Sequence, residues 1–198
     1  NECGWFYQSD QKDFSKIPGS PIAYWVSENF RTVFKNSPPI VSQMNSIQGI
    51  ITGNTLKYLR FWHEIQRRKM SEVDTSFNLN KSWVRYTKGG TERRWFGNNE
   101  YVIDWSKQGS DLVRSRNTNS EYYLKPCITW TLLTSANFSA RYCEPGFLWD
   151  VAGSIGFVKD ENKIDYTLAL LCSKVSTYIL DVVNPTINTN IENIESIP

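Results

Sequence analysis

The sequence predicts an α+β fold, a mixed and mainly antiparallel β-sheet with flanking helices and a long C-terminal helix. Three observations carry this. Strand-like runs follow in quick succession from Cys127 to Val158, with Pro145-Gly146 and Gly153-Ser154 as turns between them. Apolar residues recur at three- and four-residue steps near both ends of the chain, which is the helical period. Strands and helices do not alternate as βαβ units, and no repeat period is sustained.

Taken in order, residues 1–19 are mixed and close on the turn Ile17-Pro18-Gly19. Ser20-Pro21 offers a cap followed by proline at the first helical position, and Ile22, Trp25, Val26, Phe30, Val33 and Phe34 predict an amphipathic helix over 21–35. Asn36-Ser37-Pro38-Pro39 ends it, so residues 1–39 read as a helical adaptor and linker. Ile40 to Ile51 reads as a short helix and then a strand, and Gln48 to Asn54 as a strand ending in a glycine turn. Asn54 is placed to cap a short helix bearing Leu56 and Leu59. Arg60 to Ile65 reads as a strand, and 66–81 as a polar loop holding Arg67-Arg68-Lys69.

The chain centres on Trp83 to Trp105. Two strand-like runs, 83–87 and 101–105, flank a connection punctuated by Gly89-Gly90 and Gly97-Asn98-Asn99. Arg85, Lys88, Arg93 and Arg94 are interleaved there with Trp83, Tyr86, Trp95 and Phe96. A cationic loop bordered by rings suits a polyanion that has flat faces, which describes nucleic acid. The alternative is a solvated hairpin tip with Trp95 buried beneath it. A long polar connection follows from Ser106 to Glu121, then the strands 127–133, 138–143, 147–151 and 155–158. Asp165 is placed to cap a helix over 166–183, with Leu168, Leu171, Val175, Tyr178, Ile179 and Val182 as its buried stripe. Residues 40–164 thus read as a β-rich domain, and 165–198 as a C-terminal helix and tail packing on it.

The 198 residues, 40% hydrophobic and with eight tryptophans, describe a folded chain. A chain of this length buries roughly 70% of its unfolded surface and needs no staple. Net charge is +2, but it is unevenly spread. Residues 1–49 carry four basic and four acidic groups, 50–125 carry fourteen and eight, and 126–198 carry four and eight. The middle is therefore basic and the end acidic, which points to an anionic partner for the middle. Cys3, Cys127, Cys143 and Cys172 form no CxxC pair, and His63 is the lone histidine, so a zinc site is not expected. The last three cysteines sit in apolar runs, as reduced core residues of a cytoplasmic protein do. No apolar run reaches the ~18 residues of a membrane span. The N-terminus lacks a signal-peptide layout and starts without Met, as a piece cut from a longer chain would.

Catalytic motifs are missing. There is no Walker loop, no GxGxxG and no nucleophile elbow. Glu161-Asn162-Lys163 has the ExK form of a nuclease core but lies in a polar turn, and Asp104 with Asp150 makes no evident pair. Asn36-Ser37-Pro38-Pro39 and Asn184-Pro185-Thr186 both fail the Asn/Asp-Pro-Pro-aromatic pattern of adenine methyltransferases. No metal and no catalytic residue is expected.

A string of segments nonetheless carries a resemblance: IPGSPIAYWVS (17–27), QGIITGN (48–54), LRFWHE (59–64), YTKGGTERRWFGNNEYVIDW (86–105), ITW (128–130), FSARY (138–142), GFLWDVAGS (146–154) and LALLCSKVSTYIL (168–180). In this order they resemble the C-terminal half of PglX-like adenine-specific DNA methyltransferases of the phage-exclusion (BREX) and related restriction-modification systems. Cys172 stands where that family's helix has asparagine. The resemblance implies a target-recognition (specificity) domain that binds double-stranded DNA and positions an adenine for N6 methylation. S-adenosylmethionine and catalysis would belong to a methyltransferase domain elsewhere in the same polypeptide, and no membrane is involved.

A recognition domain holds DNA by its phosphates and reads base edges in the major groove. Lys88, Arg93 and Arg94 are the leading phosphate or guanine contacts. Arg85, Arg60, Lys57, Arg116 and the 67–69 cluster follow. Gln48, Thr52, Asn54, Asn98, Asn99 and Asn117 are the candidate base readers. Two rivals remain at this point. A carbohydrate-binding module would use exposed tryptophans in a neutral groove. A small nuclease or hydrolase would hold a metal in a cleft near Glu161 and Lys163 or near Asp104 and Asp150.

Overall fold

The computed structural model describes residue 4 and residues 6–71, 81–112, 119–133 and 135–198. In chain order these form α1 (Gln11–Phe14), α2 (Glu28–Asn36), β1 (Met44–Ile47), α3 (Thr55–Tyr58), β2 (Leu59–Phe61), β3 (Trp83–Thr87) and β4 (Tyr101–Asp104). There follow β5 (Cys127–Thr131), β6 (Ala140–Cys143), β7 (Phe147–Trp149), β8 (Gly153–Val158), α4 (Ile164–Leu171), α5 (Lys174–Val183) and α6 (Ile191–Glu195). The class is α+β, as expected. The strands make two four-stranded sheets, β1-β8-β5-β6 and β2-β4-β3-β7. The first is antiparallel throughout, and the second departs from that only where β3 runs parallel to β7.

Alternation along the strands decides the layering, because neighbouring side chains leave a strand on opposite faces. On the first sheet Met44, Ile128, Trp130, Ala140 and Val158 face Leu168, Leu171, Ile179, Leu180 and Ile194 of the helices. The intervening Cys127, Cys143, Ile155 and Phe157 face the other way, against Phe147 and Trp149 of the second sheet. The far face of the second sheet buries Leu59, Val84, Tyr86, Ile103 and Leu148 under Tyr58, Trp105, Leu112 and Leu124. Cys127, Cys143 and Cys172 are free, buried thiols, as core cysteines should be; Cys3 lies outside the described residues.

Four elements differ from the sequence expectation by more than two residues. The helix expected over 21–35 begins only at Glu28. Ser20 sits in a turn at φ 49°, and Ser27 supplies the cap by accepting from Phe30 N. Ala23 and Val26 are instead drawn into a cluster with Ile17 and Val182, which leaves Ile22 and Trp25 exposed. The single long helix expected over 166–183 is two helices bent by 68°. Ser173 caps the second by accepting from Ser176 N, while Ser176 Oγ donates to Leu170 O at 2.6 Å, so side chains take over backbone groups at the break. The bend leaves Val175 and Tyr178 exposed rather than in the buried stripe. Asp165 lies inside the first turn of α4, and the cap at this end is Asp160, on the turn Glu161–Lys163. The strand expected from Arg60 to Ile65 stops at Phe61 and turns, and the segment 48–54 makes only isolated bridges from Ile50 and Ile51.

The described residues that precede β1 do not stand apart. Phe30 packs edge-on against Tyr178 of α5 at 5.3 Å, and Val182 of the same helix joins Ile17, Ala23 and Val26. No single described helix is long and apolar enough to cross a membrane.

The cap predicted at Asn54 is present: its Oδ1 accepts from Lys57 N at 3.0 Å. Asn54→Ala is expected to destabilise the chain by about 1 kcal/mol, read as a lower urea midpoint. An unchanged midpoint would mean that the four-residue helix is held by Tyr58, whose hydroxyl donates to Asp111 O at 2.7 Å.

Candidate nucleic-acid interface

The interface candidate is the connection 88–100 between β3 and β4. Those strands pair antiparallel, Trp83 with Asp104 through Tyr86 with Tyr101, and so project the connection from one end of the second sheet. It does not wave free. Trp95 N–H donates to Ala140 O at 3.1 Å and Tyr142 N–H donates to Trp95 O at 2.8 Å, so the loop adds a short parallel rung to the edge of β6. Gly90 is held on β5, its N–H donating to Thr131 Oγ1 at 3.4 Å while that hydroxyl donates to Gly90 O at 3.2 Å. Gly89 lies so close to the turn between β7 and β8 that a Cβ there would sit 2.5 Å from Ala152 O. Both sheets therefore position the loop. Trp95 itself, at φ 75°, turns its ring outward and is 53% exposed, with Phe96 54% exposed. Neither ring is the buried anchor that a plain hairpin tip would have.

The cationic residues fall into two groups. Arg93 and Arg94 are on the outer surface of the loop. Arg93 Nη1 is 2.9 Å from Glu100 Oε1, and Arg94 Nη2 is 3.9 Å from Glu92 Oε1. Pairs this exposed contribute about 0–1 kcal/mol and are screened by salt, so both guanidiniums stay exchangeable. Lys88 Nζ lies 5.8 Å from the Tyr101 ring. Tyr101 stacks on Phe61 at 5.0 Å and Phe61 on His63 at 5.5 Å, giving a stack of three rings ended by a cation. This stack, with Trp62 55% exposed beside it, was not legible as a site. A strand through 60–65 would also put Phe61 and His63 on one face, but it does not reveal the cross-strand pairing of Phe61 with Tyr101 that completes the stack.

The second group is occupied elsewhere. Arg60 Nη1 donates to Leu56 O and Leu59 O at 2.7 and 2.6 Å. Arg85 turns toward Phe147, 5.8 Å from its ring, with Nε buried and without a partner. Lys57 is exposed over the Tyr58 ring, and a hydrogen bond with Tyr58 holds its ammonium pKa above the usual range. Of the candidate base readers, Gln48 is exposed, Asn54 is exposed but serves as a cap, and Thr52 is buried. Asn98 is 5% exposed at φ 60° and braces the loop, its Nδ2 donating to Thr91 O at 3.1 Å. Asn99 has both side-chain polar atoms buried and unpartnered. Arg116 and Asn117 lie outside the described residues.

The carboxylates weighed for catalysis serve turns. Asp104 Oδ1 accepts from Ser106 N and Asp150 Oδ1 accepts from Ala152 N. Burial, and then the neighbouring Asp150, push the pKa of the Tyr86 hydroxyl well up. Glu161 and Lys163 share the short turn capped by Asp160. Among the described residues no three His, Cys, Asp or Glu side chains gather as a metal site would need.

No family model matches the chain. Two proteins do. It is 35% identical over 205 residues to the adenine-specific methyltransferase PglX of Lacticaseibacillus casei (strain Zhang), which covers 97% of this chain and 17% of that protein. It is 34% identical over 203 residues to the adenine-specific methyltransferase BrxX of Escherichia coli O9:H4 (strain HS), covering 100% of this chain and 16% of that protein. The chain is similar, along its whole length, to one segment of PglX-type methyltransferases. It spans about a sixth of the length of these relatives. In this PglX-like segment the outward loop 88–100 brings together two arginines in exposed, exchangeable ion pairs and two exposed rings.

Proposed function

We propose that the chain is a DNA target-recognition region of a PglX-like adenine-specific methyltransferase. It binds duplex DNA through the 88–100 loop and positions the target adenine for N6 methylation by an S-adenosylmethionine-dependent domain of the same polypeptide. One observation carries the reading: Arg93, Arg94, Trp95 and Phe96 are presented outward together on a loop tied to both sheets. Rigidly mounted cations hold a phosphate backbone at low ordering cost, and exposed rings beside them suit bases or sugars. The similarity to two adenine-specific methyltransferases over the whole chain supports the same assignment.

Residues 40–164 would then be the recognition domain. The segments 1–39 and 165–198, which pack on each other, would face the catalytic domain. That division of labour needs no catalytic group in this chain. The expected compartment is the cytoplasm, with the DNA.

Retention of a labelled duplex on filters, followed against added salt, tests the proposal. Neutralising two to four phosphates predicts a log–log slope of about −2 to −4, because each contact releases condensed counterions. Salt-insensitive binding, or retention of an oligosaccharide in place of the duplex, would reassign the exposed tryptophans to carbohydrate and remove the DNA reading.

A further inference from the structure

The pairing of Arg93 with Glu100 is built into the loop. Gly97 sits at φ 129°, and a Cβ there would lie 2.7 Å from Arg93 Cδ, so only glycine lets the arginine stem lie back across the loop. Glu100 is held in place from its backbone, since its carbonyl accepts from Trp62 N–H at 2.9 Å. The resulting ion pair is half exposed, 50% on the arginine and 43% on the glutamate.

A second guanidinium belongs to the same cluster. Arg141, on β6 at the rung made with Trp95, is 0% exposed. Its Nη2 donates to Thr131 Oγ1 at 3.3 Å, while Nε and Nη1 have no partner, and no carboxylate pairs with it among the described residues. Burial pushes its pKa down to about 10; among the smaller influences Arg93 lowers it further and Glu100 raises it. The group therefore keeps its proton at neutral pH, and it feels both members of the surface pair. Two guanidiniums and one carboxylate leave a net positive charge at the point where the loop meets β6.

A carboxylate on a guanidinium has the chemistry of a phosphodiester on a guanidinium: one negative charge shared by two oxygens. We infer that Glu100 stands in for a DNA phosphate in the free protein, occupying the anion position on Arg93 until a backbone phosphate displaces it. This rests on the DNA-binding reading and adds to it a site of defined ligand chemistry, a phosphodiester, together with the group that guards it. An exposed ion pair is weak enough to be exchanged. Until exchanged, Glu100 repels incoming phosphates, so it weakens binding to every duplex that does not bring enough other contacts to displace it. Arg141 keeps the site positive from beneath.

Glu100→Gln tests this, because it removes the charge and keeps the shape and the carbonyl acceptor. Binding to a random-sequence duplex at low salt is expected to tighten about three- to fivefold, and the salt slope to steepen by up to ~0.9, the value of one more phosphate contact. In an Arg93→Met background the same substitution is expected to give a gain of less than about twofold. Glu92→Gln, which removes an equal charge from the same loop, is expected to give a smaller gain than Glu100→Gln. If the unaltered chain binds DNA with a salt slope but Glu100→Gln binds no tighter, Glu100 is a structural brace and the inference is wrong. Equal gains from Glu92→Gln and Glu100→Gln, or a full gain without Arg93, would also overturn it, as they would show only a change in long-range field. A chain that binds no duplex at all removes the DNA reading itself, and this inference with it.

Discussion

Trp130→Ala is expected to destabilise the chain by about 3–5 kcal/mol, the range for truncating a buried tryptophan. Trp130 is fully buried on β5, the strand paired on both sides, to β8 and to β6. Its ring belongs to the core shared by the first sheet and the helices α4, α5 and α6, and its Nε1 donates to Thr189 O at 3.3 Å. Alanine would leave a cavity at the middle of that layer. It would also strand a carbonyl that the ring now satisfies. The loss would be largest in the helices, which have no sheet of their own to hold them. Chemical denaturation should show a lower midpoint, and amide exchange should quicken in 164–195 more than in β3 and β4. A midpoint within about 0.5 kcal/mol of the unaltered chain would mean that the helices are held by something other than this face of the sheet.

Arg93→Ala combined with Arg94→Ala is expected to weaken duplex binding by about ten- to a hundredfold at moderate salt and to flatten the salt slope by about 1.8. The melting curve should barely move. Both side chains are exposed, their carboxylate pairs contribute little, and the loop's attachment runs through backbone atoms of Trp95 and Gly90. The two readouts separate roles: a binding loss with an unchanged melting curve assigns the arginines to DNA, and a melting loss assigns them to the scaffold. Normal binding by the double variant would move the contact surface elsewhere, with Lys88 and the Phe61–Tyr101 stack next in line.

The sequence reading and the structure part company at identifiable places. The strands at 83–87, 101–104, 127–131 and 153–158 were legible for two reasons: in β3 buried Val84 and Tyr86 alternate with half-buried Trp83 and Arg85, while in β5 and β8 the two faces meet different cores. The helix boundaries were less so. Apolar residues at helical steps in 21–27 do not form a helix, because Ala23 and Val26 gain more by packing on Val182 of α5. The apolar run 166–183 hides a break at Ser173, where a capping serine competes with the continuing helix, and periodicity is blind to a cap inside a run.

By itself the sequence determined the α+β class, the basic middle and acidic end, and the central stretch in which arginines alternate with rings; each is a local property of composition and period. Only the tertiary structure decided which of those groups face outward. Trp95 and Phe96 turn to solvent, Asn98 and Thr52 turn in, and Arg93 meets Glu100 above a buried Arg141 because the loop from the second sheet joins the edge of the first. That junction links residues some forty-five positions apart, Trp95 with Ala140 and Tyr142. Its hydrogen bonds are between backbone groups, which every residue carries alike, so they leave no mark on the sequence.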